Sequence, residues 1–115
     1  MANAYTAGPQ TLQSAATTGN GGILFVGGQS GTITINLQSN GTTSGGTVTI
    51  EEAYYDVNGP VYAGTWSAIA AIAASGFTGT AQSVLRSTGA YWAVRARISS
   101  TITGGGTVTV VAWAN

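Results

Sequence analysis

The chain of 115 residues contains no cysteine, histidine or lysine, and only 5% of its residues are charged. Without cysteine, neither a disulfide nor a thiolate metal site can form. Without histidine or lysine, a serine or threonine nucleophile lacks its usual base. Three arginines balance three carboxylates, so there is no basic surface for nucleic acid or for an anionic membrane. The sequence therefore predicts a protein that is not an enzyme, needs no cofactor or metal, and binds neither nucleic acid nor membrane.

The three acidic residues, Glu51, Glu52 and Asp56, do not form a catalytic pattern. Consecutive residues of a strand point to opposite faces, so Glu51 and Glu52 cannot flank one bond as the carboxylates of a glycosidase do. Their spacing is not that of a calcium loop. We expect Glu51 to form an ion pair with Arg95 or Arg97 across neighbouring strands.

Long apolar runs are also missing. The first residues lack the basic and apolar regions of a signal peptide. The longest stretch of low polarity, residues 66–74, is much shorter than the roughly 20 residues of a membrane-spanning helix. These features predict synthesis and folding in the cytoplasm.

What the sequence does contain is 18 glycines and many threonine, valine, isoleucine and aromatic residues. This composition favours strands joined by tight turns. The clearest strand signal is residues 31–38, where Ile33, Ile35 and Leu37 alternate with polar residues. The prediction is an all-β domain, an antiparallel two-sheet sandwich of jelly-roll or immunoglobulin-like type with about seven or eight strands. Residues 1–10 show no periodicity and are predicted to form an extended N-terminal arm before a single domain, residues 11–115.

The C-terminal residues alternate strongly and contain a glycine turn at 104–106, which predicts a β-hairpin. In the first run, Trp92 shares the apolar row with Val94 and Ile98, whereas Tyr91 shares the opposite row with the two arginines. In the second run, Val111 and Trp113 stand opposite the core row. They place apolar area on an outward face, which we expect to meet a partner.

Three stretches permit less direct interpretation. Glu52 falls on an apolar row, so either a bulge turns it outward or it lies near the end of its strand, where water reaches it. Residues 66–74 fit either a helix, because alanine is abundant, or a strand that enters a loop, which the β-rich surroundings favour. Residues 23–26 form a short apolar run and are predicted to be a strand buried on both sides.

Aromatic residues are the main candidates for contacts, because rings with a polar edge suit protein interfaces and can stack on sugars. Trp92 is predicted to lie in the core. A nearly uncharged surface gives little repulsion between copies, which favours assembly, although a soluble monomer is an equal alternative. The candidates for contact with another subunit or a partner protein are Tyr5, Pro9, Tyr55, Tyr62, Trp66, Tyr91 and Trp113.

Four segments occur in an order that resembles small β-sandwich structural proteins of tailed-phage virions. They are Gly45-Gly-Thr-Val-Thr-Ile-Glu51, Thr65-Trp66-Ser-Ala-Ile69, Tyr91-Trp-Ala-Val-Arg-Ala-Arg-Ile-Ser99 and Gly105-Gly-Thr-Val-Thr-Val110. The resemblance covers residues 31–113. Residues 54–59 depart from the family's Ser-x-Asp-Gly-Gly turn after the glutamate strand.

The resemblance implies a virion protein, most plausibly a capsid decoration (cement) protein that binds the outer capsid surface and stabilises the shell. Proteins of that kind commonly form homotrimers that clamp neighbouring copies of the major capsid protein. The expected location is therefore the capsid surface of a virion, after synthesis in the host cytoplasm. Two alternatives remain open: a tail or fibre component of the virion, and a carbohydrate-binding β-sandwich module that stacks sugars on Tyr55, Tyr62 and Trp66.

Overall fold

The computed structural model describes residues 7–27, 30–55 and 62–114, and all of the regular structure in these ranges is β-strand. The strands are β1 (Ala7–Ala16), β2 (Ile23–Phe25), β3 (Ser30–Asn40), β4 (Thr43–Tyr55), β5 (Tyr62–Phe77), β6 (Gln82–Ala90), β7 (Ala93–Thr103) and β8 (Thr107–Ala114). They form two antiparallel sheets of four strands. Sheet A has the order β1-β8-β3-β6 and sheet B the order β2-β7-β4-β5.

Strands pair from the two ends of the chain towards its middle: β1 pairs with β8, β2 with β7, β3 with β6, and β4 with β5. The chain is thus one long antiparallel ribbon, folded so that successive pairs alternate between the two sheets. An eight-stranded double sheet of this kind is a jelly roll. The predicted two-sheet sandwich is confirmed, and the strand order selects the jelly roll over the immunoglobulin-like alternative.

Each sheet contributes one face to a common core. Ile33, Ile35 and Leu37 are buried on β3, next to the fully buried row of Val108 and Val110 on β8. Sheet B supplies the opposing rows. Its fully buried members include Val48, Ile50, Val94 and Ala96. Fully burying each large aliphatic side chain contributes about 1.5–3 kcal/mol, so these alternating rows are the main stabilising feature of the fold.

The two ends of the sandwich differ. Strands β2, β4 and β6 end, and strands β3, β5 and β7 begin, at one end of the sandwich, which we call the aromatic end because most of the aromatic residues lie there. The connections β1–β2, β3–β4, β5–β6 and β7–β8 lie at the other, the glycine end.

The predicted C-terminal hairpin is wrong. β7 belongs to sheet B and β8 to sheet A, so the turn at 104–106 carries the chain from one sheet to the other. The β3–β4 connection makes the same crossing beside it, and the Gly106 amide donates a hydrogen bond of 2.8 Å to the Thr42 carbonyl. Alternation shows which face a residue occupies but not which strand lies next to it, and this is why the local pattern suggested a hairpin.

Three other features also differ from the sequence predictions. The first strand begins at Ala7, and Ala7 and Gln10 pair with Ala114 and Ala112, so part of the predicted arm belongs to sheet A. Residues 62–77 form one continuous strand, which excludes the helix considered for residues 66–74. The 23–26 run is not buried on both sides as predicted: it contains the short edge strand β2, whose Phe25 is 52% exposed because no strand of the described residues covers its outer face.

Candidate interaction surfaces

The outer face of sheet A carries an apolar patch. Val84 on β6 is 48% exposed, and Val111 and Trp113 on β8 are half-buried. The register places Asn36 of β3 between Val111 and Val84, so the two valines are separated by one strand. We call these three apolar residues the sheet A patch.

One charged residue borders the sheet A patch. Arg86 lies on β6, exposed, opposite Thr34, whose other neighbour is Trp113. No carboxylate of residues 7–27, 30–55 or 62–114 lies within salt-bridge distance of Arg86. The outer face of sheet A therefore combines exposed apolar area with one accessible cation.

The outer face of sheet B contains an ion-pair cluster centred on Glu51. Glu51 and Arg95 are direct cross-strand neighbours, and Arg95 Nε donates a hydrogen bond of 2.8 Å to Glu51 Oε1. Arg97 Nε donates to both oxygens of the same carboxylate, each at 3.2 Å. The Glu51 side chain is only 8% exposed, so one shielded carboxylate pairs with two guanidinium groups and the cluster keeps one net positive charge.

Trp66 completes this cluster. The Arg95 guanidinium lies 4.3 Å from the centre of the Trp66 ring, which is cation–π distance. Trp66 is on β5 opposite Ala53, two register positions from the Glu51–Ala68 pair and so on the same face of the sheet. The Arg95 guanidinium thus contacts both a carboxylate and a ring face. The charged groups of this part of sheet B therefore already have partners within the chain.

The aromatic residues are concentrated at one end of the sandwich. Strand direction brings them together there, although they are scattered through the sequence. Those at or beside the aromatic end in the described residues are Phe25, Tyr54, Tyr55, Tyr62, Trp66, Tyr91, Trp92 and Trp113, whereas Phe77 lies at the glycine end.

Tyr91 does not lie on the outward face that alternation predicts. It is only 9% exposed and belongs to the core cluster. Its hydroxyl lies 2.6 Å from Ser87 Oγ, and its ring packs so closely on Gly89 that a β-carbon there would lie 3.3 Å from the ring. The chain crosses from sheet A to sheet B at this point, so the alternation of β7 does not extend to Tyr91. Trp92, expected in the core, is half-buried at the same crossing.

Glu52 remains on the core-facing row, opposite Val94, and is 9% exposed. The β4–β5 ladder has a register shift beside it, but the regular β4–β7 ladder prevents this from turning the side chain outward. Neither sequence alternative is confirmed: the side chain is not turned outward, and although it lies three residues before the end of β4, it is buried from water. A hydrogen bond between the Glu52 carboxylate and the Tyr54 hydroxyl, together with the negative charge, raises the pKa of Tyr54 above its ordinary value of 10.0.

The remaining contact candidates are placed as follows. Pro9 is exposed on edge strand β1, where its missing amide hydrogen costs little. Tyr55 and Tyr62 are register partners at the start of the β4–β5 ladder. Tyr5 and Asp56 lie outside the described residues.

Sequence reasoning missed Val84, which is the most exposed part of the sheet A patch. Its neighbours on the outward row of β6, Gln82, Arg86 and Thr88, are polar, so Val84 did not stand out as part of an apolar face. The detectable signal was that Val84 and Leu85 are consecutive apolar residues in an extended run, so one of the two must face outward.

The described residues contain no group of three or more histidine, cysteine, aspartate or glutamate residues arranged to hold a metal ion. Nor do they include a helix long and apolar enough to span a bilayer. One shallow depression of about 330 Å³ at the glycine end is lined by Gln38, Ser39, Asn40, Thr80 and Thr109. It contains no ionisable side chain.

Comparison with known proteins adds no identification: no family model matches the chain, and neither does any curated protein.

Proposed function

We propose that this chain is a virion structural protein that decorates the outer surface of a capsid and stabilises the shell. The observation that carries the proposal is the sheet A patch, an exposed apolar area on the outer face of a small jelly roll. Jelly rolls are common in viral capsid proteins and in lectins, which is support by analogy of fold. The resemblance of residues 31–113 to phage virion proteins points the same way.

In this proposal, sheet A faces the shell and contacts the major capsid protein. Val84, Val111 and Trp113 supply the apolar contact, and Arg86 at its border pairs with a carboxylate of the shell. Many copies on a symmetric shell reinforce one another, so a modest interface is sufficient for each copy. The sequence resemblance also implies a homotrimer, but attachment to the shell does not require that stoichiometry, and the oligomeric state is a separate measurement.

The experiment mixes the purified protein with capsids of its own virus that were prepared without it. We expect saturable, stoichiometric attachment, measured by co-sedimentation. Val84→Asp should reduce affinity at least about tenfold, because it places a charge inside a desolvated contact. Ser100→Asp, which adds the same charge at an exposed position of β7 in the other sheet, is the matched control and should attach normally.

Two results would contradict the proposal. If the wild-type protein does not attach at any concentration, the decoration function is wrong. If Val84→Asp and Ser100→Asp attach equally well, sheet A is not the shell-facing surface.

A second candidate is a carbohydrate-binding module, favoured by the aromatic end. Tyr54 and Phe25 are more than half exposed there, and aromatic rings stack on sugars. Arg95 already occupies one face of the Trp66 ring, which leaves fewer free ring faces than the sequence suggested. Selective binding of the isolated domain on a glycan array, lost in Tyr54→Ala, would favour this candidate over decoration.

A further inference from the structure

The two lateral sides of the sandwich are built differently. On the side of β1 and β2, the sheets are joined: the Gly22 amide donates to the Leu12 carbonyl at 2.8 Å, and the Ile98 amide donates to Gly19 at 2.9 Å. The buried Gln13 side chain adds bonds to the carbonyls of Gly19 and Ala96. On the opposite side, β5 and β6 belong to different sheets, and each pairs along one edge only among the described residues.

The four edge strands differ in how well they resist pairing with another chain. β1 contains Pro9 and three register shifts, and β2 has only three residues. β6 carries Arg86 at its centre. Pro, irregular register, short length and charge are the features that normally prevent edge-to-edge association.

β5 lacks most of them. It is the longest strand, with 16 residues, and contains no proline, lysine, arginine, aspartate or glutamate. Its ladder with β4 has four register shifts, so irregular register is the one protective feature that β5 shares with β1, but Ala70 to Ala73 pair residue by residue with Ile50 to Thr47 of β4. The free edge of this regular segment presents backbone donors and acceptors between small side chains.

The apolar core is also least covered on this side. Five partly buried apolar residues pack against the core in the described part of the chain, and four of them are on β5 and β6: Ile69, Ala70, Phe77 and Leu85. A strand added to β5 would satisfy the free backbone groups and reduce the exposure of this strip. Both observations point to the same edge.

We propose that β5 pairs antiparallel with β5 of a second copy of this chain, which joins two B sheets into one sheet of eight strands. A two-fold axis brings the uncharged segment 70–73 against itself, so no charged side chains oppose each other and the small residues permit close approach. The corresponding β6–β6 contact would bring two Arg86 side chains together, which disfavours it. The net charge of zero adds no repulsion between copies.

This contact does not depend on the proposed function, and it predicts a different stoichiometry from the expected trimer. Size-exclusion chromatography with light scattering on the full chain should give a mass of two copies, or an even multiple. A monomer at all concentrations, a trimer, or polydisperse aggregates would each overturn the proposal.

Charged substitutions on β5 test directly whether the β5 strands of two copies are in contact. Ala71 and Ala73 are exposed on the outer face of the strand, so Ala71→Lys/Ala73→Lys and Ala71→Glu/Ala73→Glu should leave the fold intact. Each double variant should be monomeric, because like charges meet across the two-fold axis. An equimolar mixture should recover the two-copy mass, which also shows that both variants are folded.

Val84→Lys on β6 is the matched control, since it places a lysine at an exposed position of the other open edge. It should remain a dimer. If the control is also monomeric, or if the mixed lysine and glutamate variants do not associate, β5 is not the contact strand. Amide hydrogen exchange should show slower exchange in 70–73 for the wild type than for the lysine variant, and equal rates would contradict the pairing.

Discussion

At Glu51 a single carboxylate accepts hydrogen bonds from the side chains of two arginines, and it is more shielded from water than either. The sequence led us to expect one ion pair in this position, formed with Arg95 or Arg97. The structure contains both, because residues 95 and 97 share one face of β7 next to β4. Removal of the carboxylate would leave two partly buried cations without a counter-ion.

We therefore expect Glu51→Gln to lower the free energy of unfolding by about 2 kcal/mol. This lies between the ~0–1 kcal/mol of an exposed pair and the ~3–5 kcal/mol for loss of one partner from a buried pair, because Arg97 is 37% exposed. Urea unfolding at unchanged m-value is the measurement. Arg86→Ala, at an exposed position, should change stability by less than about 0.5 kcal/mol. Equal effects of the two variants would show that the cluster contributes nothing specific.

Tyr91 shows that the alternation of a strand does not extend beyond the residues of that strand. Its outward position was inferred by extending the alternation of β7 backwards by two residues, but the strand begins only at Ala93. The sheet crossing lets the ring fold over Gly89, where a side chain would interfere, and reach Ser87. The partner is four residues away in sequence, yet nothing in the local pattern indicates the contact.

At the level of elements, the crossings at the glycine end depend on the absence of side chains. A β-carbon on Gly106 would lie 2.6 Å from the Thr42 carbonyl oxygen and 2.8 Å from the Gly41 carbonyl carbon, closer than real contacts permit. The β3–β4 and β7–β8 connections can therefore pass each other only if this residue is glycine. Gly105, next to it, has a positive φ of 93° but open space around it.

Gly106→Ala should accordingly destabilise the fold by about 3 kcal/mol, because backbone atoms of both crossings must move. Gly105→Ala should cost less, about 1–2 kcal/mol, since only its backbone conformation is strained. Thermal or urea unfolding of the two variants and the wild type shows which substitution lowers the free energy of unfolding more. If Gly105→Ala lowers the free energy of unfolding more than Gly106→Ala does, the close approach of the β3–β4 and β7–β8 connections is not what requires glycine at position 106.

For the molecule as a whole, low charge is the dominant surface property. Three arginine and three acidic side chains are present in 115 residues, and Glu51 pairs with two of the arginines within the chain. Long-range electrostatic steering is therefore weak, and both proposed contacts, sheet A with the shell and β5 with a second copy, consist mainly of apolar and backbone interactions.

It follows that these associations should depend little on ionic strength. Between roughly 50 and 500 mM sodium chloride, we expect the dissociation constant for capsid attachment and for self-association to change less than about threefold, because few charge pairs are available to be screened. Sedimentation at several salt concentrations measures both. A decrease in affinity of tenfold or more would identify an ionic contact and contradict the apolar one.

The sequence by itself determined the all-β class, the faces on which the residues of the regularly alternating strands lie, and the low charge. Alternation is a property of the extended backbone, so Ile33, Ile35 and Leu37, or Val108 and Val110, could be assigned to the core without knowledge of their neighbours. Only the tertiary structure decided which strands pair, because β1 with β8 and β2 with β7 are joined across most of the chain by contacts that no local pattern encodes. The open β5 edge, the aromatic end and the burial of Tyr91 all result from those long-range pairings.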